Sequence, residues 1–470
     1  MAKPNTFVFR ADASPQLGGG HIMRCLTLAD ALRAEGHRSV FVTRGDSCTT
    51  VPLLAQSGHD VVTVEASEQA ICQEMKARGL RASWAVVDSY AMDVDDEAAW
   101  RAIAPRILVI DERLSRPHDC DLLLDTTFGR TGCDYEGWLP PSARVLAGSS
   151  FALVRPAFAA MRERVLLRRA SETPSQPRIL VSLGLTDVGA MTGAVVAALL
   201  DAGWTTAIDC VISSAAPSLS RLRAMAREYP QLMLYVDVTD MAPLMAAADL
   251  AIGGAGQTSF ERCVLGLPAL VLVMADNQQE AARALAAHGA ARIVTLETLV
   301  EQAREVLSSP AAQVDMPYAA SLMADGLGVQ RVVRQLLQPL VTVRKALPGD
   351  AEMILAWRND PETRRQSRET EPVSHESHAT WFETRLNDPD TLLVIAEVDT
   401  TPCGVVRFIR HGVQSADVSV NLAPGMRRRG IGPQVLSQAI GLAAAQRFAA
   451  NATAEIREGN AASLKLVAQR

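Results

Sequence analysis

Short apolar runs rich in Val, Ile and Leu alternate with helical patterns through the first 340 residues. That alternation restricts the fold more than any other feature of the chain. In the first stretch the runs are TFVFRAD, SVFVT, DVVTV, WAVVD, RILVID and DLLLD. Strands that are apolar throughout, rather than at every second residue, need cover on both faces, which means a parallel sheet flanked by helices. Between the first two runs, Ile22, Cys25, Leu26, Ala29 and Leu32 fall at helical spacing, and Gly36 is placed to end the helix. SETPSQP, residues 171–177, has the composition of a linker. After it come RILVSLG, AIDCVIS, LMLYVDV, DLAIGG, PALVLVM and ARIVTL, again separated by Ala-rich helical segments. The expectation is two Rossmann-like domains in tandem, residues 1–170 and 171–338.

After LLQPL, residues 336–340, the texture changes. A strand, a Pro-Gly-Asp turn and a charged helix precede TLLVIAEV, PCGVVRFIR and ADVSVNLAP, which read as successive antiparallel strands. This α+β pattern defines a third domain, residues 341–470. A formal net charge of −6 supplies no basic field for nucleic acid, and 4% aromatic content gives little surface for stacking bases. No apolar run is long enough to span a bilayer, and MAKPNTFVFR lacks a signal-peptide core. Eight cysteines without a CxxC suit reduced thiols. A cytoplasmic protein without nucleic-acid partner or membrane span is expected.

Two glycine-rich turns stand where strands give way to helices. In QLGGGHIMRC, residues 16–25, Gly19 and Gly20 precede His21. Backbone amides and a helix N-terminus at such a turn favour an anionic ligand. The pattern is not GxGxxG, and no acid stands at the ribose position of a dinucleotide site. His21 could serve as a base toward whatever fills the cleft, or could simply pack the turn. In DLAIGGAGQTSFERC, residues 249–263, Gly254 lies in the second turn, and Ser259 and Glu261 fall just inside the following helix. The Glu261 carboxylate could accept both hydroxyls of a ribose. Asn277 and Gln278, in ADNQ, follow the next strand. Asp88 and Tyr90, in VVDSYAMD, could touch substrate, with Asp88 equally suited to capping; Ser182 ends the first strand of the second set. DVDD at 93–96 reads as an acidic helix start rather than a metal site, and HESH at 375–378 as surface, so no metal is expected. In the third domain RRRGIG matches R-x-x-G-x-G at Arg427, Gly430 and Gly432, with Arg429 between; amides there would cradle a pyrophosphate.

FRADASPQLGGGHIMRCLTLADAL, VVDSYAMD, LVIDE, ALVRPAF, VSLG and GGAGQTSFERCVLGLPALVLVMADNQ together resemble the UDP-sugar hydrolases of pseudaminic acid biosynthesis. That family has the two-Rossmann GT-B architecture and is similar to the MurG type. The resemblance, over roughly residues 5–335, implies cleavage of UDP-2,4-diacetamido-2,4,6-trideoxy-β-L-altropyranose to UDP and free sugar, with inversion at C1 and no metal. It implies that His21 is the general base, and that Gly19 and Gly20 leave room for diphosphate and sugar. Ser259 and Glu261 would contact UDP, and Asn277 and Gln278 the sugar. One departure is visible: where the family reads Ser-x-Gly-Gly, Leu185 replaces the second glycine. The third domain resembles GNAT acetyltransferases, which implies acetyl-CoA bound at RRRGIG and near Asn460, and acetylation of a 4-amino group one step earlier. Val467 stands where these enzymes commonly carry a tyrosine, and the sequence stops at Arg470. Either the sequence is truncated or the domain binds without turnover. The rival readings are a GT-B glycosyltransferase and a non-catalytic sugar-nucleotide scaffold.

Overall fold

The structure is a computed structural model that describes residues 4–468, apart from 173, 276, 277, 340, 368, 399, 400, 412–414, 450 and 458. The chain forms two compact units, Met1–Leu336 and Leu337–Arg470. The first unit opens with β1 (Thr6–Ala11), β2 (Arg38–Thr43), β3 (Asp60–Thr63), β4 (Trp84–Asp88), β5 (Ile107–Ile110), β6 (Leu122–Asp125) and β7 (Arg144–Ala147). They form a parallel sheet in the order β3-β2-β1-β4-β5-β6-β7. Every residue of β4, β5 and β6 is buried, as a sheet covered on both faces requires. The edge strand β7 was not among the expected runs; its half-buried RVLA carries too little apolar character to announce itself.

The second sheet comprises β8 (Ile179–Ser182), β9 (Ile208–Ile212), β10 (Leu232–Val236), β11 (Leu250–Gly253), β12 (Ala269–Val271) and β13 (Ala291–Ile293), all within expected runs. It is parallel, in the order β10-β9-β8-β11-β12-β13. Helix Gly20–Ala34 buries the five apolar residues of its predicted stripe, and Gly36 adopts φ +85° beyond its end. Helix Gly328–Leu336 buries Val329, Val332, Val333 and Leu336. At its end the Leu336 carbonyl accepts a hydrogen bond from Trp84 Nε1 at 2.9 Å, which ties the last helix of the unit to the first sheet.

Both strand orders reverse direction once. In the first sheet the reversal falls between β1 and β4, and in the second between β8 and β11. Chain connections leave opposite faces at such a point, so a crevice opens at the carboxyl ends of the two strands. His21 follows β1 and Asp88 ends β4; Ser182 ends β8 and the second glycine turn follows β11. Topology alone therefore delivers the two motifs to the two crevices.

In the second unit β14 (Val341–Lys345), β15 (Thr391–Val398), β16 (Thr401–His411) and β17 (Ser415–Leu422) are antiparallel neighbours, and β18 (Asn451–Thr453) runs parallel to β17. Helix Gly432–Ala445 covers the sheet with Val435, Leu436, Ala439 and Ala443. Asp93 caps helix Val94–Ala99 in the first unit, as expected for DVDD. The expectation for HESH is corrected in part: His375 is exposed, but one turn later His378 is buried, its Nε2 3.0 Å from the Ala351 carbonyl.

Candidate active site

The first glycine turn is closed by a bond from the Gly18 amide to Ser14 O at 2.8 Å, with Gly18 at φ +77°. Gly20 has open space where a side chain would project. Gly19 does not: an added Cβ would lie 2.6 Å from Leu185 Cδ1 and 2.8 Å from Val51 Cγ2. The expectation that both glycines make room for substrate is corrected for Gly19, whose missing side chain admits protein atoms.

His21 follows, its side chain 11% exposed, with Nδ1 2.6 Å from Asp88 Oδ1. Arg24, one helical turn on, donates through Nε to Asp88 Oδ2 at 2.6 Å and through Nη2 to Oδ1 at 2.7 Å. Burial opposes ionisation of Asp88, but Arg24 and then His21 outweigh it and hold the carboxyl well below the usual carboxylate range. An ionised carboxylate only accepts, so Nδ1 of the neutral imidazole carries the proton and Nε2 keeps its lone pair. Asp88 is wholly buried and bonded to His21 and Arg24. It neither faces substrate nor caps a helix, and so positions the imidazole instead. Tyr90 stands edge-on to the His21 ring, centroids 4.7 Å apart. Its hydroxyl donates to Glu112 Oε2 at 2.7 Å, while the Arg113 guanidinium lies 4.0 Å over its ring. Glu112 also pairs with Arg24.

The second turn is braced from behind. Arg262 Nη2 donates to the Gly254 carbonyl at 2.5 Å and to Ser259 Oγ at 2.8 Å. Ser259 is 1% exposed, so its hydroxyl supports the turn rather than meeting a ligand. Gln278 Oε1 accepts from the Ala255 amide at 3.2 Å and the Met274 amide at 3.3 Å, which commits that oxygen to the loop. These bonds turn the Ser259 hydroxyl inward, while the Gln278 Nε2 is not engaged by them. Asn277 lies outside the described residues. Glu261 lies in helix Thr258–Val264, where burial raises its carboxyl pKa against the pull of Arg155, whose Nη2 donates to Oε1 at 3.1 Å. Ser182 stands beside Gly253 at the strand ends, half-buried.

Arg24, Glu112, Arg155 and Arg262 were not singled out from the sequence. Arg24 sits three residues beyond His21, the spacing that stacks side chains on one helix face. Glu112 and Arg155 lie inside LVIDE and ALVRPAF. Among the described residues no cluster of three His, Cys, Asp or Glu could hold a metal ion.

In the second unit the Arg427 side chain pairs with Asp360 at 2.6 Å and donates to Thr363 Oγ1 at 2.6 Å, so it ties its loop to the start of helix Pro361–Gln366. Asn460 Oδ1 accepts from the Ser463 amide at 3.1 Å and caps the last helix. Those two side chains thus have structural duties. Arg429 is exposed, Gly430 is open at φ +74°, and Gly432 makes ordinary contact with Leu466 and Leu422. The Val467 side chain lies outside the described residues. β18 pairs with β17 at Ser415, Ala416 and Asp417, which leaves Val418–Leu422 without a ladder partner on that side among the described residues. Acetyl-CoA fits these features: its amide-bearing arm could pair with the strand edge, and its pyrophosphate would meet the helix start at 428–432.

Comparison with known proteins defines the class. Residues 220–332 match the family described as glycosyltransferase family 28 C-terminal domain, and residues 341–469 the acetyltransferase (GNAT) domain. The structure of MurG from Acinetobacter baumannii covers 71% of this chain and 99% of its own, with a TM-score of 0.51 at 17% identity, which shows a shared GT-B fold. The chain thus carries a region like the C-terminal domain of glycosyltransferase family 28, in a GT-B fold, joined to a GNAT acetyltransferase domain. Among curated proteins, it is 26% identical to the UDP-2,4-diacetamido-2,4,6-trideoxy-beta-L-altropyranose hydrolase of Campylobacter jejuni, over 60% of this chain and 96% of that one. It is likewise 26% identical to the spore coat polysaccharide biosynthesis protein SpsG of Bacillus subtilis, over 70% and 97%. No helix among the described residues is long and apolar enough to cross a membrane.

Proposed function

We propose that the first unit hydrolyses UDP-2,4-diacetamido-2,4,6-trideoxy-β-L-altropyranose, a step of pseudaminic acid biosynthesis, and that residues 1–170 and 171–338 divide the work. The observation that carries this reading is the His21–Asp88 pair at the first crevice, 2.6 Å apart, with Arg24 behind it. Nε2 of His21 takes a proton from water as the water oxygen bonds to C1 of the sugar. The C1–O bond breaks with its electron pair going to UDP, and C1 inverts. Asp88 holds the imidazole in the tautomer that can do this and stabilises the imidazolium that forms. Gly20 and the amides of the first helix turn face the open side, and Glu261 receives the ribose. Tyr90 walls the imidazole. The relative from Campylobacter jejuni supports the choice of substrate.

The second unit is assigned acetyl transfer to the 4-amino group of the preceding UDP-sugar. Acetyl-CoA supplies an activated acetyl group when bound. The turn containing Arg428, Arg429, Gly430 and Gly432 would hold its pyrophosphate, and the edge of β17 its arm.

The test follows the anomeric signal by NMR when purified protein meets the UDP-sugar. Prompt UDP release with the inverted anomer appearing first supports single displacement by water. Transfer to an added acceptor without hydrolysis replaces the reading with a glycosyltransferase.

A further inference from the structure

The loop after β8 departs from the family pattern at one residue, and the structure shows where that residue goes. Leu185 is 40% exposed, yet its Cδ1 occupies the space beside Gly19 that a side chain there would need. Gly19 lies two residues before His21, and the neighbouring Gly20 opens to solvent. The first half adds Val51 Cγ2 to the same spot. A branched apolar side chain from the second half therefore stands on the glycine turn, between the open positions at Gly18 and Gly20.

Its backbone is built to keep it there. Gly184, Asp187, Gly189 and Ala190 all have positive φ, at +100°, +45°, +64° and +54°. For Asp187 and Ala190 this conformation is costly and persists only when surroundings impose it. The imposing contacts are visible. The buried Asp187 carboxylate accepts the Thr192 amide at 2.8 Å and the Ser218 amide at 3.0 Å, and Ser218 Oγ donates to the Ala190 carbonyl at 3.1 Å. The loop is pinned from behind while its apolar tip projects, with Val188 also 52% exposed. A side chain fixed this way is a wall, not a random exposed leucine.

We propose that Leu185 is a specificity-determining residue: the apolar wall of the sugar subsite beside His21, selecting a nucleotide sugar that presents methyl groups over one that presents hydroxyls. The inference rests on the nucleotide-sugar reading above and deepens it. Deoxygenation at a ring carbon and N-acetylation both place methyl groups on a sugar. Such groups lose little by leaving water against leucine, whereas a hydroxyl there finds no partner. Gly19 is part of the device, since any side chain at 19 would displace the wall.

The test separates binding from turnover. In the H21Q background, calorimetry measures the affinities of UDP, UDP-2,4-diacetamido-2,4,6-trideoxy-β-L-altropyranose and UDP-N-acetylglucosamine, with and without L185S or L185G. The expected result is a preference for the diacetamido sugar that falls at least tenfold in both variants, with UDP affinity unchanged. A preference that both variants leave intact overturns the role of Leu185 while the hydrolase reading stands. Equal weakening of all three ligands, UDP included, makes Leu185 structural and overturns it as well. No preference in the parent overturns the sugar wall and the substrate assignment together.

Discussion

The two halves of the first unit set their buried and half-buried arginines against different partners. In the first half the partners are carboxylates: Arg10 meets Glu68 and Asp12, Arg24 meets Asp88 and Glu112, and Arg116 meets Glu97. Around the second half the partners are carbonyls: from helix Pro156–Ser171, which packs against it, Arg162 donates to the carbonyls of Val264, Ala324 and Ser321 and Arg169 to those of Leu265 and Met245, and within it Arg262 donates to that of Gly254. A carboxylate partner titrates, accepts a second donor and can steer an imidazole. A carbonyl also accepts a second donor, but it neither titrates nor carries charge, so it leaves the guanidinium charge uncancelled. Burial brings Arg262 down to about 10, which still leaves it charged at neutral pH. That charge stands directly behind the second glycine turn. The contrast matches the proposed division, proton chemistry in the first half and anion binding in the second.

The comparison breaks if substitutions in the first half act on binding rather than rate. H21Q should lower kcat by roughly 10³-fold or more, since general-base catalysis contributes about 10²–10⁴. UDP affinity, read by calorimetry, should stay within a few-fold. D88N should follow, with kcat down on the order of 10²–10⁴-fold, because an amide no longer enforces the productive tautomer. A D88N enzyme with normal kcat and weakened KM would return Asp88 to the ligand contacts. In the second half the expected pattern inverts. E261Q should weaken UDP on the order of tenfold to a hundredfold, the worth of a hydrogen bond to a charged group, with kcat at saturation nearly unchanged. A kcat effect from E261Q as large as that of H21Q would erase the division of labour.

How much of this was legible beforehand follows from which interactions are local. Parallel sheets announce themselves through continuous apolar runs, and twelve of the thirteen strands in β1–β13 coincide with such runs, β2 starting one residue earlier at Arg38. The exception, β7, is half-buried at an edge. His21 and the second glycine turn were legible because a glycine turn after a strand has a local signature. Asp88 was found at the right strand end but given the wrong partner. Its bond to His21 joins residues 67 positions apart, and only the pairing of β1 with β4 brings them together. Ser259 was placed on the correct helix, but its direction depended on Arg262, which folds back under the turn. The packing of Leu185 against Gly19 spans both halves and has no local trace. Sequence spacing thus located the turns, and the tertiary partners decided which side chains look outward.

The smallest expected effect sharpens the comparison through pH. His118 is wholly buried in the first half, with Nδ1 2.9 Å from Glu97 Oε1 and Nε2 3.3 Å from Asp111 Oδ2. Burial pushes its pKa down, but Asp111 and Glu97 more than compensate, so it is raised above the ordinary value of 6.5. A folded-state pKa above the unfolded one means protonation stabilises the fold. That contribution is complete below about pH 6.5 and is lost as pH climbs through the raised value. Asp111 works the other way: its pKa is lowered, so its share is present at neutral pH and lost in acid. Thermal melts from pH 6 to 8 should therefore show a downward slope in Tm for the native chain, on the order of a few degrees. H118Q should melt lower at pH 6 yet with a shallower slope, because it has no proton to lose there. Arg169, bound to carbonyls of the second half, is pushed down by burial to about 9 and stays charged up to pH 8, so R169M should lower Tm and leave the slope from pH 6 to 8 as it was. A slope that survives in H118Q but vanishes in R169M would place the pH-sensitive contacts in the half built on carbonyls, and the contrast between the halves would fail.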